Sequence, residues 1–227
     1  MERLFQLKKT QKIENKKIIL GYAPHLIDKN SFVFSPLMLD CPNQVNYEVG
    51  SEEGVAMLLA HTLCPQIFQT LKNFDMGYLS AESNVGEEEL EEVLEFIDQD
   101  AFCMILTQDF LAHPLGHKIL SILSTCSDAM GFPLLLNTEL LSSYQPLGES
   151  NGIIARITHS NHHQLRGSSQ FARFCKLDHL QNISILARDL EIQTSFVLDE
   201  KMRGVIAILE TPLSYPHYPY QKIQIQK

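Results

Sequence analysis

Residues 77–116, GYLSAESNVGEEELEEVLEFIDQDAFCMILTQDFLAHPLG, contain the pattern that decides the fold class. In the middle of this stretch, apolar residues recur at steps of three and four: Leu90, Val93, Leu94 and Ile97. This spacing predicts a helix with one apolar face, while the glutamates between these residues face water and suit the positive end of the helix dipole. The apolar run that follows lacks alternation, which is typical of a strand covered on both faces of a parallel sheet.

The residues on either side of the acidic helix complete one structural unit. We expect an extended segment from Gly77, then a polar loop, Ser80 to Gly86, that leads into the helix. After the buried strand, a second loop enters another helix between His117 and Met130, which Gly131 and Pro133 end. Loop, helix, buried strand and loop together are half of a doubly wound α/β layer.

Further strands and helices are predicted upstream and downstream of this unit. The apolar runs KKIILGYA, from Lys16, and PLLLN, ending at Asn137, predict buried strands. Ser51 is a candidate N-cap for one helix, and Pro65 begins another at a position where a helix tolerates proline. The prolines and asparagine between residues 32 and 47 indicate irregular structure there.

The predicted fold class is therefore α/β, a parallel sheet with helices on both faces, followed by a smaller mixed β module. We place a basic leader at residues 1–15, the α/β domain at 16–148 and the β-rich module at 149–227. The module begins where β-like segments replace the helical ones: GIIARITH, NISILARDLEIQTSFVLD, MRGVIAILE and YQKIQIQK. Between the first two of these segments, NHHQLRGSSQFARF is expected to be a loop with room for a short helix.

Composition excludes several classes of protein. The 227 residues are 44% hydrophobic and carry a net charge of −9, which argues against general nucleic-acid binding. No apolar run approaches membrane-spanning length, and the start lacks the apolar h-region of a signal peptide. The five cysteines are widely spaced and form no CxxC pair, so neither a zinc ribbon nor a cysteine-ligated cluster is indicated. We expect a cytoplasmic protein in a reducing compartment.

Four polar residues are the candidates for cofactor or ligand binding. Ser83 and Asn84 lie in the polar loop before the acidic helix, and Gln108 and Asp109 follow the buried strand. Ligands of open α/β sheets bind at strand carboxyl ends, and amides at a helix start can hold an anion. Structural functions compete with this hypothesis, because the first pair can cap the helix and the second can cap the following turn. No GxGxxG or P-loop sequence is present.

Histidines suggest metal sites, but their spacing favours none. His113 and His117 are four residues apart, yet Pro114 and Gly116 between them make a shared helical face doubtful. The richest set of potential ligands is downstream: His159, His162, His163, Cys175 and His179. Because their spacing matches no zinc module, we interpret these side chains as exposed loop residues, and the nearby Arg156, Arg166 and Arg173 as contacts for partners. We predict no metal site and no catalytic residues.

Four segments carry a resemblance to a known family. GSEEGVAMLLAHTL (50–63), LSAESNVGEEELEEV (79–93) and MILTQDFLAHPLGHKIL (104–120) resemble the molybdopterin-oxidoreductase-type α/β region in the large peripheral-arm subunit of NADH–quinone oxidoreductase, respiratory complex I. ILARDLEIQTSFVLDEKMRGVIAIL (185–209) is similar to the C-terminal β-barrel module of molybdopterin enzymes. The likeness covers about two-thirds of the chain and corresponds to the back portion of that subunit, without its cysteine-rich iron–sulfur segments.

The resemblance implies a scaffold rather than an enzyme. Complex I members of the family use this region without a bound pterin, so we expect no cofactor, with other respiratory-complex subunits as partners and a membrane contacted only through them. The location implied is cytoplasmic, peripheral to the inner membrane. The surfaces expected to act are the acidic helix from Glu87 to Glu95, the basic leader and the loop from His159 to Arg173. Two alternatives stay open: a molybdopterin- or nucleotide-binding oxidoreductase fragment that uses Ser83, Asn84, Gln108 and Asp109, and a small-anion binding module.

Overall fold

The computed structural model describes residues 4–6, 15–68, 75–137, 152–187, 190–213 and 218–227, and it divides the chain into two compact units. The first comprises Met1–Pro36 and Cys41–Ser142, and the second comprises Leu37–Asp40 and Ser143–Lys227. The boundary predicted at residue 148 lies outside the described residues. None of the helices in the described ranges is long and apolar enough to cross a membrane.

The first unit is built on a six-stranded sheet whose neighbouring strands all pair in parallel, in the order β1-β6-β5-β2-β3-β4. The strands are β1 (Leu4–Gln6), β2 (Lys16–Leu20), β3 (Ser31–Phe34), β4 (Gln44–Val45), β5 (Phe102–Leu106) and β6 (Leu134–Leu136). The predicted parallel sheet, with a smaller mixed β module after it, is therefore confirmed. Part of the predicted basic leader belongs to the sheet, because β1 pairs with β6.

Within the described ranges, a short 3-10 helix (Pro24–Leu26) follows β2, and six α-helices connect and cover the strands: α1 (Glu52–Leu63), α2 (Pro65–Phe68), α3 (Met76–Ser83), α4 (Glu87–Ile97), α5 (Gln108–Leu111) and α6 (Gly116–Met130). Residues of α1, α4, α5 and α6 join one hydrophobic core with the sheet face that carries Ile18, Phe32 and Met104. The opposite face of the sheet, with Ile19 and Ile105, is fully buried as well. Burial on both faces explains why β2 and β5 read as unbroken apolar runs.

The acidic helix and the strand after it match their sequence pattern. Leu90, Val93 and Ile97 of α4 are buried, and the glutamates between them are mostly exposed. Leu94 is an exception, because it lies at the edge of the apolar stripe and is 45% exposed. Cys103 in β5 is buried, in keeping with its place in an apolar run.

Two local predictions upstream of α4 are wrong. Residues from Gly77 to Ser83 form α3 rather than an extended segment and a loop, because Asp75 caps that helix by accepting a hydrogen bond from the Tyr78 amide (3.0 Å). Residues 32–47, expected to be irregular, supply most of β3 and all of β4. Ser51 occupies the N-cap position of α1, but its hydroxyl donates to the Glu48 carbonyl instead of capping the helix.

The second unit contains a closed six-stranded barrel in the order β10-β8-β11-β7-β12-β9. Its elements are β7 (Ile153–His159), β8 (Gln164–Gly167), α7 (Ser169–Cys175), β9 (Asn182–Ala187), β10 (Leu190–Leu198), β11 (Ala207–Thr211) and β12 (Tyr220–Gln226). The barrel is mixed, since β7 runs parallel to β11 and β8 parallel to β10, while the other pairs are antiparallel. The sequence prediction missed β8, which lies in the segment interpreted as a loop.

Alternate residues of the barrel strands fill its interior, as the period of a strand requires. Leu165, Ile185 and Leu209 are fully buried there, and α7 adds Phe171, whose ring stacks on that of Phe196 at 6.0 Å. Ser168 caps α7 through its hydroxyl, which accepts hydrogen bonds from the Gln170 and Phe171 amides. The short helix that was allowed for in this segment is thus present.

Candidate functional site

The carboxyl edge of the parallel sheet is where a ligand site of this fold class is expected. At this edge β2 and β5 lie side by side, and the Thr107 amide donates to the Leu20 carbonyl (3.1 Å). Gly21, the residue after β2, has a φ of +99°, and a Cβ atom there would lie 2.0 Å from Thr107 Oγ1. The turn after β2 is therefore packed directly against the turn after β5.

Asp109 fills the space between these two turns. Its carboxylate is fully buried, and Oδ2 accepts a hydrogen bond from the Tyr22 amide (2.9 Å). Thr107 caps α5, because its hydroxyl accepts from the Asp109 amide (3.3 Å). Gln108 and Asp109 thus lie at the end of a strand, as predicted, and Asp109 joins the two turns. The binding of a cofactor by these two residues stays a prediction.

Ser83 and Asn84 are placed differently from the expectation. Ser83 is buried in the last turn of α3, where its hydroxyl donates to the Leu79 carbonyl (2.7 Å) and its own carbonyl accepts from the Glu48 amide (2.9 Å). Asn84 ends α3 in the left-handed conformation (φ 58°, ψ 34°), which asparagine tolerates better than most residues. Neither residue caps α4, whose N-cap is Gly86. The predicted loop between a strand and a helix is in fact a turn between two helices.

A second buried polar cluster, which the sequence interpretation missed, comprises Tyr47, Glu52 and His113. Glu52 is fully buried in the first turn of α1, where a carboxylate is favoured by the helix dipole. The Tyr47 hydroxyl donates to Glu52 Oε1 (3.3 Å), and His113 Nε2 lies 3.7 Å from Glu52 Oε2. The Tyr47 ring contacts the edge of Phe110, with 5.7 Å between ring centroids, so the cluster is joined to α5.

The hydrogen bonds of His113 determine which ring nitrogen carries its proton. Nδ1 accepts from the Leu115 amide (3.2 Å), so the proton of a neutral ring is on Nε2, which donates to the Gly50 carbonyl (3.1 Å). Burial lowers the pKa of His113, and the Gly50 carbonyl and the Glu53 charge offset this only in part. Both ring nitrogens of His113 are therefore used in hydrogen bonds to the backbone. A metal ion would have to replace one of these bonds, which argues against a metal site formed by His113 and His117.

Two histidines of the barrel unit, His162 and His179, have separate partners, whereas His159 and His163 are exposed, as predicted. His162 lies between Ser160 Oγ (3.2 Å) and Glu210 Oε2 (3.2 Å), and His179 Nδ1 accepts from the Leu198 amide (3.1 Å). Burial raises the pKa of the Cys175 thiol, which disfavours the thiolate that zinc binds. Within the described ranges, no three His, Cys, Asp or Glu side chains are grouped so as to hold a metal ion.

The three arginines expected to contact partners differ in exposure. Arg156 is buried, with its guanidinium donating to Thr158 Oγ1 (2.8 Å) and lying 5.9 Å from the centroid of the Tyr220 ring. It therefore contributes to the barrel itself, which corrects the expectation for this residue. Arg166 is partly exposed and pairs with Glu210 (3.2 Å), whereas Arg173 on α7 is exposed.

Comparisons with known proteins identify no relative, since neither a protein-family model nor a curated protein sequence matches this chain. The geometry at the carboxyl edge must therefore be interpreted from its own contacts. Between β2 and β5 the two turns pack on each other, and the carboxylate of Asp109 is buried there and bonded to the Tyr22 amide. Such an arrangement stabilises the fold and holds the loops after the strands in place.

Proposed function

We propose that the chain is a non-catalytic scaffold or assembly component of a respiratory NADH–quinone oxidoreductase, related to molybdopterin oxidoreductases but without their cofactor. Two features support this proposal. The resemblance of residues 50–63, 79–93 and 104–120 implies an α/β region, and that of residues 185–209 implies a C-terminal β-barrel module. The chain has a parallel α/β unit followed by a closed barrel, in the order that the resemblance implies. Since a fold alone does not define a function, the contacts at the sheet edge carry more weight.

The observation that carries the proposal is the direct packing of the turn after β2 on the turn after β5, with the buried Asp109 between them. The Asp109 carboxylate bonds to the Tyr22 amide, a backbone donor at the place where a ligand of this fold class would approach. Gly21 is in contact with Thr107, so a ligand would have to separate two turns that pack on each other. Glu52 places a carboxylate in the first turn of α1, and a phosphate at that helix start would meet its charge. These contacts favour a scaffold over the nucleotide- or anion-binding alternatives.

The proposal also assigns the place of the protein in the cell. It locates the chain in the cytoplasm, at the inner membrane only through its partner subunits. The work of a scaffold is done by surfaces, and the exposed glutamates of α4 and the exposed Arg173 belong to the surfaces expected to act. The basic leader is the third such surface, and most of it lies outside the described residues.

The experiment that tests the proposal is isolation of the tagged chain from its native cells at its native expression level. We expect subunits of NADH–quinone oxidoreductase to be enriched over a control purification of the tag alone. Separately purified chain should be colourless, with less than about 0.1 equivalent of molybdenum, iron, flavin or pterin. Stoichiometric molybdenum, pterin, flavin or iron would overturn the scaffold function in favour of an oxidoreductase fragment. Nucleotide binding in calorimetry, together with no respiratory subunit in the isolate, would favour a small-anion module.

A further inference from the structure

Two exposed apolar side chains, one on α7 and one in the segment before β11, belong to elements that a hydrogen bond joins. Phe174, in the last turn of α7, is 68% exposed, and Val205 is 55% exposed. Gln170, one turn before Phe174 on the same helix face, accepts a hydrogen bond from the Gly204 amide (2.7 Å), which precedes Val205. Single exposed apolar residues are ordinary, but two on elements that a hydrogen bond joins give this part of the barrel unit an apolar component that a partner can cover.

Exposed cationic residues are close in the sequence to both apolar residues. Arg173 and Lys176 are exposed next to Phe174, and Arg203 is exposed next to Gly204. We call Arg173, Phe174, Arg203 and Val205 the α7 surface. Across residues 173–178 and 200–205 the exposed charged side chains are four cations and two anions: Arg173, Lys176, Lys201, Arg203, Asp178 and Glu200. The α7 surface is thus locally positive in a chain whose net charge is −9.

The exposed side of α4 in the other unit has the complementary composition. We call its exposed residues the α4 surface: Glu87, Glu88, Glu91, Glu92, Leu94 and Glu95. Glu91 is four residues from both Glu87 and Glu95, and such like-charge pairs destabilise a helix unless opposite charges compensate them. Leu94 adds a half-exposed aliphatic side chain at the border of the acidic residues. A cationic surface with an apolar centre would relieve the repulsion and cover Leu94.

We propose that the α7 surface of one copy of this chain docks on the α4 surface of a second copy. Arg173 and Arg203 of the first copy face glutamates of the second. Phe174 and Val205 of the first copy cover Leu94 of the second. The two surfaces are different, so the contact is heterologous, and the assembly keeps one unused α7 surface and one unused α4 surface at its ends. Both surfaces are small and charged, which gives a weak, salt-dependent association.

The test uses sedimentation velocity on the purified full chain and two charge-reversed variants, Arg173→Glu and Glu91→Arg. For the unmodified chain we expect the mean mass to rise above that of one chain between about 10 μM and 1 mM at low salt. At about 0.5 M salt the chain should return to a monomer. Each variant alone should be monomeric, because one has lost its α7 surface and the other its α4 surface. An equimolar mixture should associate again, because Glu91→Arg supplies an intact α7 surface and Arg173→Glu an intact α4 surface.

Matched substitutions separate docking from effects on folding. Phe174→Ser should weaken association at least tenfold, whereas Met130→Ser, at a similarly exposed position on α6, should leave it unchanged. Glu82→Arg, at an exposed position on α3, is the control for Glu91→Arg, and all variants should unfold at the same temperature as the parent chain. A monomer at every concentration would overturn the proposal. So would a mixture of the two charge-reversed variants that stays monomeric, or an association that Glu91→Arg leaves unchanged.

Discussion

His113 Nε2 lies 3.7 Å from Glu52 Oε2, and both side chains are buried in the α/β unit. The two residues come from elements far apart in the sequence, the start of α1 and the turn between α5 and α6. His113 donates to the Gly50 carbonyl, two residues before Glu52. The imidazole therefore joins the turn between α5 and α6 to the loop that leads into α1. A buried carboxylate is costly to remove from water unless hydrogen bonds compensate it, and Tyr47 supplies one such bond.

Replacing Glu52 by alanine tests how much this cluster stabilises the fold. We expect Glu52→Ala to lower the free energy of unfolding by about 1–3 kcal/mol, because the Tyr47 hydroxyl loses a buried acceptor. Its neighbour Glu53 is a matched control, since it pairs with the exposed Lys118 and such pairs contribute less than about 1 kcal/mol. Urea unfolding of both variants measures the difference. Equal losses at the two positions would contradict the structural role of Glu52.

The lowered pKa of His113 predicts a loss of stability in mild acid. The pKa in the folded state lies below 6.5, the ordinary value that the group regains on unfolding. As the pH falls through 6.5 toward the folded-state pKa, the unfolded chain takes up a proton that the native chain does not, so stability decreases. The slope from this group is at most about 1.4 kcal/mol per pH unit, and the effect disappears about one pH unit above 6.5.

Two histidine variants isolate this contribution. His113→Gln should remove the part of the pH dependence between pH 5 and 7, whereas His117→Gln, at an exposed position on α6, should keep it. The unfolding free energy of each variant at pH 7.5 and 5.5 is the measurement. An unchanged pH dependence in His113→Gln would contradict the assignment of the effect to His113.

The sequence predicted an element correctly where all residues of one face have the same surroundings, either core or solvent. The apolar steps of α4 and the unbroken runs of β2 and β5 follow directly from one covered stripe and two covered faces. The segment MGYLSAES was harder, because α3 is short and rich in glycine and serine, and the Asp75 cap and the contact of Leu79 with the core determine its helical state. Propensity is only a weak guide for a helix of two turns.

The candidate site was predictable in its location but not in its contacts. Gln108 and Asp109 follow a recognisable buried strand, so their place at the sheet edge could be inferred. The Tyr47, Glu52 and His113 cluster could not, because a glutamate in a first helical turn has the sequence signature of a solvent-exposed residue. A weak signal was the position of Glu52 three and four residues before Val55 and Ala56, which places it on the apolar face of α1.

The close approach at Gly21 predicts a large penalty for any side chain there. Gly21→Ala combines a φ of +99° with a Cβ atom 2.0 Å from Thr107 Oγ1, and we expect a loss of about 3 kcal/mol or more. Gly204 is the matched control, since its φ is +80° but nothing lies within 4 Å of the Cβ position. Gly204→Ala should therefore cost only the backbone term, about 1 kcal/mol. Thermal unfolding of the two variants compares a steric clash with backbone strain alone.

Replacement of Asp98, which ends α4, by glycine is predicted to increase stability. Its backbone has φ 48° and ψ −127°, a region that glycine adopts far more readily than residues with a Cβ atom, while its amide still donates to the Leu94 carbonyl (2.8 Å). Asp98→Gly should raise the free energy of unfolding by about 1 kcal/mol, because the strain is removed and the backbone hydrogen bond is retained. Gln99→Gly, next in the chain and without a positive φ, should lower it instead, because the unfolded chain gains conformational freedom. Urea unfolding of both variants measures the two changes in stability. A loss of stability in Asp98→Gly would contradict the prediction, because the aspartate side chain would then stabilise this helix end more than the strained backbone destabilises it.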